Sequence, residues 1–139
     1  MATLSATVAV HIPFHDVDMM EVAWHGHYVK YFELARCALL DKIRYNYKAM
    51  RASGYVWPVV DLKVRYVRPA RFGQDICVTA SVKEYENRLV LDYLICDQAS
   101  GEKLTKGQTI QVAVSIDTGE LQLVSPAALR EKVEGSICG

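Results

Sequence analysis

Residues 26–43, GHYVKYFELARCALLDKI, are the stretch from which the fold can be predicted. Apolar side chains recur there at the spacing of one helix face. They are Tyr28, Tyr31, Phe32, Ala35, Leu39 and Ile43. Gly54 follows a less regular second helical piece and is a typical helix stop signal. The pattern predicts one long amphipathic helix in the N-terminal half of the chain.

Around this helix, apolar and polar residues alternate as they do in strands with one buried face. The alternating stretches are 7–12, 60–66, 76–83, 89–95, 110–116 and a shorter one at 121–124. Because short turns join the later stretches, they predict an antiparallel meander, which needs a cover on one face. Ser125 and Pro126 are expected to start a short closing helix. We therefore predict an α+β fold in which one long helix lies on an antiparallel sheet of about five or six strands.

Length and composition restrict the class of protein. The 139 residues, 51% hydrophobic and 23% charged, are typical of a single globular domain over residues 1–139. Sixteen basic and sixteen acidic residues cancel, which argues against a nucleic-acid binder. We expect no membrane span, because no apolar run is long enough, and no signal peptide. No C-x-x-C pair occurs among the four cysteines, which are Cys37, Cys77, Cys96 and Cys138. We therefore expect free thiols and a cytoplasmic location.

Residues 11–36 contain all four histidines of the chain, together with Asp16, Asp18 and Glu21. One interpretation is that these are turn-forming and surface polar residues. A second is a metal site built from His25-x-His27 and Asp16-x-Asp18. However, two histidines two positions apart on a helix point about 200° away from each other, and no established ligand spacing is present. We expect no metal here.

A third interpretation places a carboxylate opposite the first turn of the predicted helix, at about residues 25–28. Unpaired amides at a helix start can stabilise an oxygen that gains negative charge. That combination suits acyl transfer. Since the chain has no G-x-S-x-G motif and no cysteine in the histidine-rich segment, the reaction would depend on an aspartate.

These residues also resemble a known family. The segments FHDVD at 14–18, VAWH at 22–25 and YVKYFELAR at 28–36 resemble the hotdog-fold acyl-CoA thioesterases, of the 4-hydroxybenzoyl-CoA thioesterase type and the YbgC-like type. The run YVRPAR at 66–71 with Asp75 is similar to the family's second landmark. The resemblance implies a hotdog fold, a homodimer or homotetramer with edge-to-edge subunits and interfacial sites, and no cofactor.

The resemblance further implies hydrolysis of an acyl thioester carried by coenzyme A or by an acyl carrier protein. Asp18 matches the catalytic carboxylate, as nucleophile or general base, and the His25 amide would polarise the thioester carbonyl. Asp16 is left for turn or cap hydrogen bonds. Phe14, where the YbgC-like type has tyrosine, and Trp24 are expected to contact substrate. The alternative is a non-catalytic acyl-thioester-binding protein on the same scaffold.

Two further features bear on substrate binding. Lys63, Arg65, Arg68 and Arg71 form a basic stretch, in which Lys63 and Arg65 share one face of a predicted strand. We predict that this basic stretch binds the phosphates of the carrier or an acidic carrier protein, with Lys63 and Arg65 as the substrate-binding residues. The alternative is an ordinary solvated sheet face. Residues 19–21, Met-Met-Glu, stand where the family often has glycine, so the loop is expected to take another path.

Overall fold

The computed structural model describes residues 4–138, without the side chain of Cys138. Seven strands and three α-helices are formed. The strands are β1 (Ser5–His11), β2 (Tyr55–Val56), β3 (Val59–Tyr66), β4 (Asp75–Glu84), β5 (Leu89–Asp97), β6 (Lys103–Gln111) and β7 (Val114–Ser115). The helices are α1 (His27–Lys42), α2 (Tyr47–Ala52) and α3 (Ala127–Cys138), and a 3-10 turn covers Phe14–Asp16.

Five of the strands form one antiparallel sheet in the order β1-β4-β5-β6-β3, and β2 pairs with β7. Helix α1 packs against this sheet through its buried face. The predicted α+β hotdog architecture, one long helix on an antiparallel sheet of five strands, is confirmed. Among the described residues, no helix combines the length and apolar character that crossing a membrane requires. A single domain over residues 1–139 stays a prediction.

Over the middle of β5 and β6, a side chain of α1 packs directly on the sheet. The ring of Phe32 stacks on that of Tyr93, with centroids 4.6 Å apart. Gly107 lies directly opposite Tyr93 in the β5–β6 register. A Cβ atom at position 107 would collide with the Phe32 ring, so only glycine lets the helix lie this close to the sheet.

The structure corrects three details of the sequence prediction. The strand expected at 110–116 instead ends at Gln111, and the chain resumes strand structure only at Val114–Ser115. Residues 121–124 form no strand, since only Leu121 makes an isolated bridge to Val114. The hydroxyl of Ser125 is buried and has no hydrogen-bond partner among the described residues, so Ser125 does not cap α3 as expected. Alternation alone did not reveal where the ladder breaks.

Candidate active site

Asp18 lies in a tight hairpin that runs from Val17 to Ala23. Val17 and Ala23 form an antiparallel bridge, and the Asp18 amide donates to the Val22 carbonyl at 3.0 Å. The Glu21 amide donates back to the Asp18 carbonyl at 3.0 Å. The Asp18 Oδ1 atom accepts a hydrogen bond from the Met20 amide at 2.8 Å, which orients an otherwise exposed carboxylate.

The hairpin turns at Glu21, which has a φ of 61°. This left-handed conformation is one that glycine adopts easily and that costs other L-residues about 1–2 kcal/mol. Glu21 thus adopts the glycine-type conformation that we expected Met and Glu to resist. The hairpin therefore carries local backbone strain three residues from Asp18. That the loop takes a different path from the family's stays a prediction.

Replacing Glu21 by glycine should stabilise the protein. We expect the free energy of unfolding to rise by about 0.5–1 kcal/mol, because relief of the left-handed strain outweighs the larger entropy of glycine in the unfolded chain. Urea denaturation of the variant checks this. Arg44, with a φ of 59° after α1, offers a matched control, since Arg44→Gly should give a similar gain far from the hairpin. A loss of stability in Glu21→Gly alone would show that the Glu21 side chain stabilises the turn.

The segment 68–72 is joined to this hairpin along its length. The Ala23 amide donates to the Ala70 carbonyl at 2.7 Å, and the Phe72 amide donates to the Glu21 carbonyl at 3.0 Å. Val22 and Arg71 form an isolated antiparallel bridge between these two hydrogen bonds. From the other side, the Ala70 amide donates to the buried Tyr28 hydroxyl at 2.9 Å. Helix α1, segment 68–72 and the hairpin are therefore fixed to one another.

The start of α1 faces this hairpin. The amides of His27 and Tyr28 are already used, since they donate to the carbonyls of Trp24 and His25 at 2.9 and 3.4 Å. Within residues 4–138, the amides of His25 and Gly26 donate to no acceptor. The Tyr66 hydroxyl donates to the His25 carbonyl at 2.9 Å and so holds this peptide in place. Of the amides expected at residues 25–28, the free pair is His25 and Gly26.

Asp18 and His25 come together in one pocket of about 290 Å³. The other lining residues are Val22, Ala23, Tyr28, Tyr66, Val67, Arg68 and Pro69. The Tyr28 and Tyr66 rings meet edge to face at 5.0 Å. One carboxylate, free helix-start amides and a largely apolar wall can hold a carbonyl, supply a nucleophile or base and stabilise an oxyanion.

Asp16 has a different role from the one predicted. Its carboxylate is only 2% exposed and binds the Lys30 ammonium at 2.6 and 2.7 Å and the Tyr31 hydroxyl at 2.7 Å. Burial alone would raise the pKa of Asp16, but hydrogen bonds from Lys30 and Tyr31 lower it below its ordinary value. Burial and the bond to Asp16 raise the pKa of Tyr31, which keeps its hydroxyl a donor. Asp16 thus anchors the loop to α1 instead of capping a turn.

The remaining predicted residues lie outside the Asp18 pocket. Phe14 is 75% exposed and meets Phe72 edge to face at 5.7 Å. The half-exposed Trp24 ring lies 4.9 Å from the His25 ring and covers Gly26, where a Cβ would collide with it.

Lys63 and Arg65 line a separate groove on the sheet face opposite to α1. Lys83 and Lys106 also line that groove, and its one carboxylate, Asp92, accepts a hydrogen bond from Gln108. Substrate contacts by Phe14, Trp24, Lys63 and Arg65 stay predictions.

The histidines other than His25, and the three cysteines whose side chains the structure describes, lie outside the Asp18 pocket. His11 pairs with Asp75 at 2.7 Å at the exposed end of the β1–β4 pair. In the described part of the chain, no three His, Cys, Asp or Glu side chains are grouped as metal ligands. Cys37, Cys77 and Cys96 are free thiols, as predicted, whereas the side chain of Cys138 lies outside the described part.

Tyr66 is the site residue that the sequence analysis missed. It appeared there only as the end of the alternating stretch 60–66 and as the first residue of the run YVRPAR, with no role in the site. The signal that could have found it is the run YVRPAR at 66–71, because segment 68–72 joins the hairpin and so brings the end of β3 to the helix start.

Comparison with known proteins identifies the family. A model of the Thioesterase-like superfamily matches residues 12–133. The chain belongs to this superfamily. The predicted thioester hydrolase class and the resemblance to hotdog thioesterases are thereby confirmed, whereas the YbgC-like assignment stays a prediction.

Individual relatives support the same family. The Bacillus subtilis protein named "Putative acyl-CoA thioesterase YneP" is 26% identical over 106 residues, covering 76% of each chain. The structure of a DHNA-CoA thioesterase from Staphylococcus aureus is 26% identical, with a TM-score of 0.81 over 96% of this chain and 89% of that one. A 1,4-dihydroxy-2-naphthoyl-CoA thioesterase from Synechocystis shares the fold, at 18% identity and a TM-score of 0.82, over 96% of both chains.

Proposed function

We propose that this protein hydrolyses acyl-CoA thioesters, with Asp18 as the catalytic carboxylate. The observation that carries the proposal is that Asp18 and His25 line one pocket while the His25 and Gly26 amides have no internal acceptor. Two relatives are named "Putative acyl-CoA thioesterase YneP" and DHNA-CoA thioesterase, and these names support coenzyme A as the carrier.

The reaction proceeds in three parts. The thioester carbonyl oxygen accepts hydrogen bonds from the free amides at the start of α1, and these strengthen as the oxygen gains charge. Asp18 either attacks the carbonyl carbon, forming an anhydride that water then hydrolyses, or removes a proton from an attacking water. In both routes the carbon–sulfur bond breaks and the products are a carboxylic acid and a free thiol.

A substrate panel tests this proposal against the binding-protein alternative. Aromatic, short-chain and long-chain acyl-CoAs and an acyl carrier protein thioester are supplied, and release of free thiol is measured. We expect turnover of at least one acyl-CoA. Tight binding of an acyl-CoA, without hydrolysis of any member of the panel, would favour the non-catalytic binding protein.

We also propose that the protein forms a dimer through the free edge of β3. Among the strands that the structure describes, β3 is the last in the sheet order and pairs only with β6. Its large apolar side chains remain exposed, by 42% at Val59, 57% at Val60, 41% at Leu62 and 49% at Tyr66. The opposite edge strand, β1, exposes no large apolar side chain. An unpaired apolar edge of this kind is a template for another strand.

Sedimentation equilibrium should show a dimer, or a multiple of it, at micromolar concentration. Leu62→Lys places a charge on the β3 edge and should shift the population towards monomer. Ala9→Lys on β1 serves as the matched control and should leave the association unchanged. A fully active monomer, or dissociation caused by Ala9→Lys alone, would contradict the proposed edge.

A further inference from the structure

The structure separates the basic stretch of the sequence into two pairs. Lys63 and Arg65 line the groove on the outer face of the sheet. Arg68, in contrast, lines the Asp18 pocket. It also lines a second pocket of about 270 Å³, together with Arg71, Gln74 and Glu102. Since Arg68 and Pro69 belong to both pockets, the second pocket adjoins the first.

The backbone fixes this pair of arginines beside Asp18. Arg71 forms its bridge with Val22, a lining residue of the Asp18 pocket, and its amide donates to Gln74 Oε1 at 2.9 Å. The Ala70 peptide, between the two arginines, is held by Ala23 on one side and by the Tyr28 hydroxyl on the other. The position of the arginines relative to Asp18 is therefore set by the fold.

Most of the donor capacity of this pair is unused. Arg68 makes one exposed contact, from Nε to Glu102 Oε1 at 3.3 Å. Within residues 4–138, the guanidinium group of Arg71 makes no ion pair or hydrogen bond. Planar guanidinium groups match phosphate oxygens with two parallel donors, which makes arginine a preferred phosphate ligand.

We propose that Arg68 and Arg71 bind phosphate of the pantetheine carrier, in a subsite that continues the Asp18 pocket, and that the carrier is coenzyme A. This inference rests on the proposed thioesterase function. A thioester held at Asp18 leads its pantetheine arm past Arg68 into the adjoining pocket. Lys63 and Arg65, in contrast, line a groove that shares no lining residue with either of these two pockets.

Kinetics on two substrates with the same acyl group test the subsite. One is an acyl-CoA accepted in the panel, and the other is its N-acetylcysteamine thioester, which has no phosphate. For Arg68→Ala/Arg71→Ala, we expect the KM for the acyl-CoA to rise about 10-fold or more with kcat little changed. The KM for the phosphate-free thioester should change much less than that for the acyl-CoA, because this substrate offers the two guanidinium groups no phosphate. Added salt should raise the wild-type KM for acyl-CoA and leave that of the double variant nearly constant.

Arg88→Ala is the matched control, because Arg88 makes the same exposed contact, Nε to Glu84 Oε2 at 3.3 Å, away from both pockets. A rise in KM for Lys63→Ala/Arg65→Ala instead of the Arg68/Arg71 variant would overturn the proposal. So would an equal loss on the phosphate-free thioester, which would indicate a structural role. If the Arg68→Ala/Arg71→Ala variant loses activity only on an acyl carrier protein thioester, coenzyme A is overturned as the carrier.

Calorimetry with coenzyme A itself separates this inference from the proposed function. If the wild type hydrolyses neither thioester, the proposed function fails, but coenzyme A binding that the double variant weakens about 10-fold would still support the subsite. Equal binding of coenzyme A by the wild type and the double variant would overturn the subsite, whatever the activity.

Discussion

Asp18→Asn should reduce kcat on an accepted acyl-CoA by about 10²–10⁴-fold while leaving substrate binding nearly unchanged. The amide keeps the shape of the carboxylate and can still accept the Met20 hydrogen bond, but it can neither attack the carbonyl nor remove a proton. Since Asp18 is exposed, its replacement should leave the melting temperature close to that of the wild type. Single-turnover hydrolysis and a thermal melt on the same preparation measure both effects.

Asp117, exposed in the turn after β7, provides the control for removing one surface carboxylate. Asp117→Asn should change neither the rate nor the melt. Near-normal turnover by Asp18→Asn, together with lost turnover and an unchanged melt in Asp16→Asn, would show that Asp16 and not Asp18 is the catalytic carboxylate. The two variants therefore decide between the carboxylates of the D-x-D sequence.

Asp16→Asn should act on stability, lowering the free energy of unfolding by about 2–4 kcal/mol. The substitution removes the charge that the Lys30 ammonium and the Tyr31 hydroxyl both bind. Because the Lys30 side chain is 45% exposed, its ammonium can turn to water, which keeps the loss below that of a fully buried pair. Urea denaturation measures the difference. A change under about 0.5 kcal/mol would mean that the anchor contributes little.

The same carboxylate sets an acid dependence of stability. The pKa of Asp16 is lowered in the folded protein, so its contribution is fully present above the ordinary pKa of about 3.9. That contribution is lost as the pH falls through the lower, folded-state pKa. Between about pH 5 and pH 2, the free energy of unfolding of the wild type should therefore fall more steeply than that of Asp16→Asn. Parallel curves for the two proteins would contradict this assignment.

The fold was predictable because its main elements carry strong local signals. The apolar spacing from Tyr28 to Leu39 gives the buried face of α1, and the alternation in 76–83 and 89–95 gives β4 and β5. The failures lie where alternation persists without pairing. Residues 112–113 continue the alternation of β6, yet β6 ends at Gln111. Where pairing stops depends on tertiary packing, which the periodicity of the sequence does not encode.

The site was predictable to a lesser degree. The sequence supplied the segment, and the family resemblance assigned Asp18, which the structure places in one pocket with His25. The role of Asp16 was wrong because its partners Lys30 and Tyr31, on α1, come near only after folding. The division of the basic stretch depends on where β3 ends, since Arg65 lies on the strand and Arg68 lies beyond it.

The hydrogen bond from Tyr66 to the His25 carbonyl links the sheet edge to the helix start. Tyr66 is the last residue of β3, the strand whose free edge we propose as the dimer contact. A partner strand on that edge would order the strand that holds the His25 peptide. Association and catalysis would then be coupled by mass action, so that dilution below the dimer dissociation constant lowers the activity per molecule.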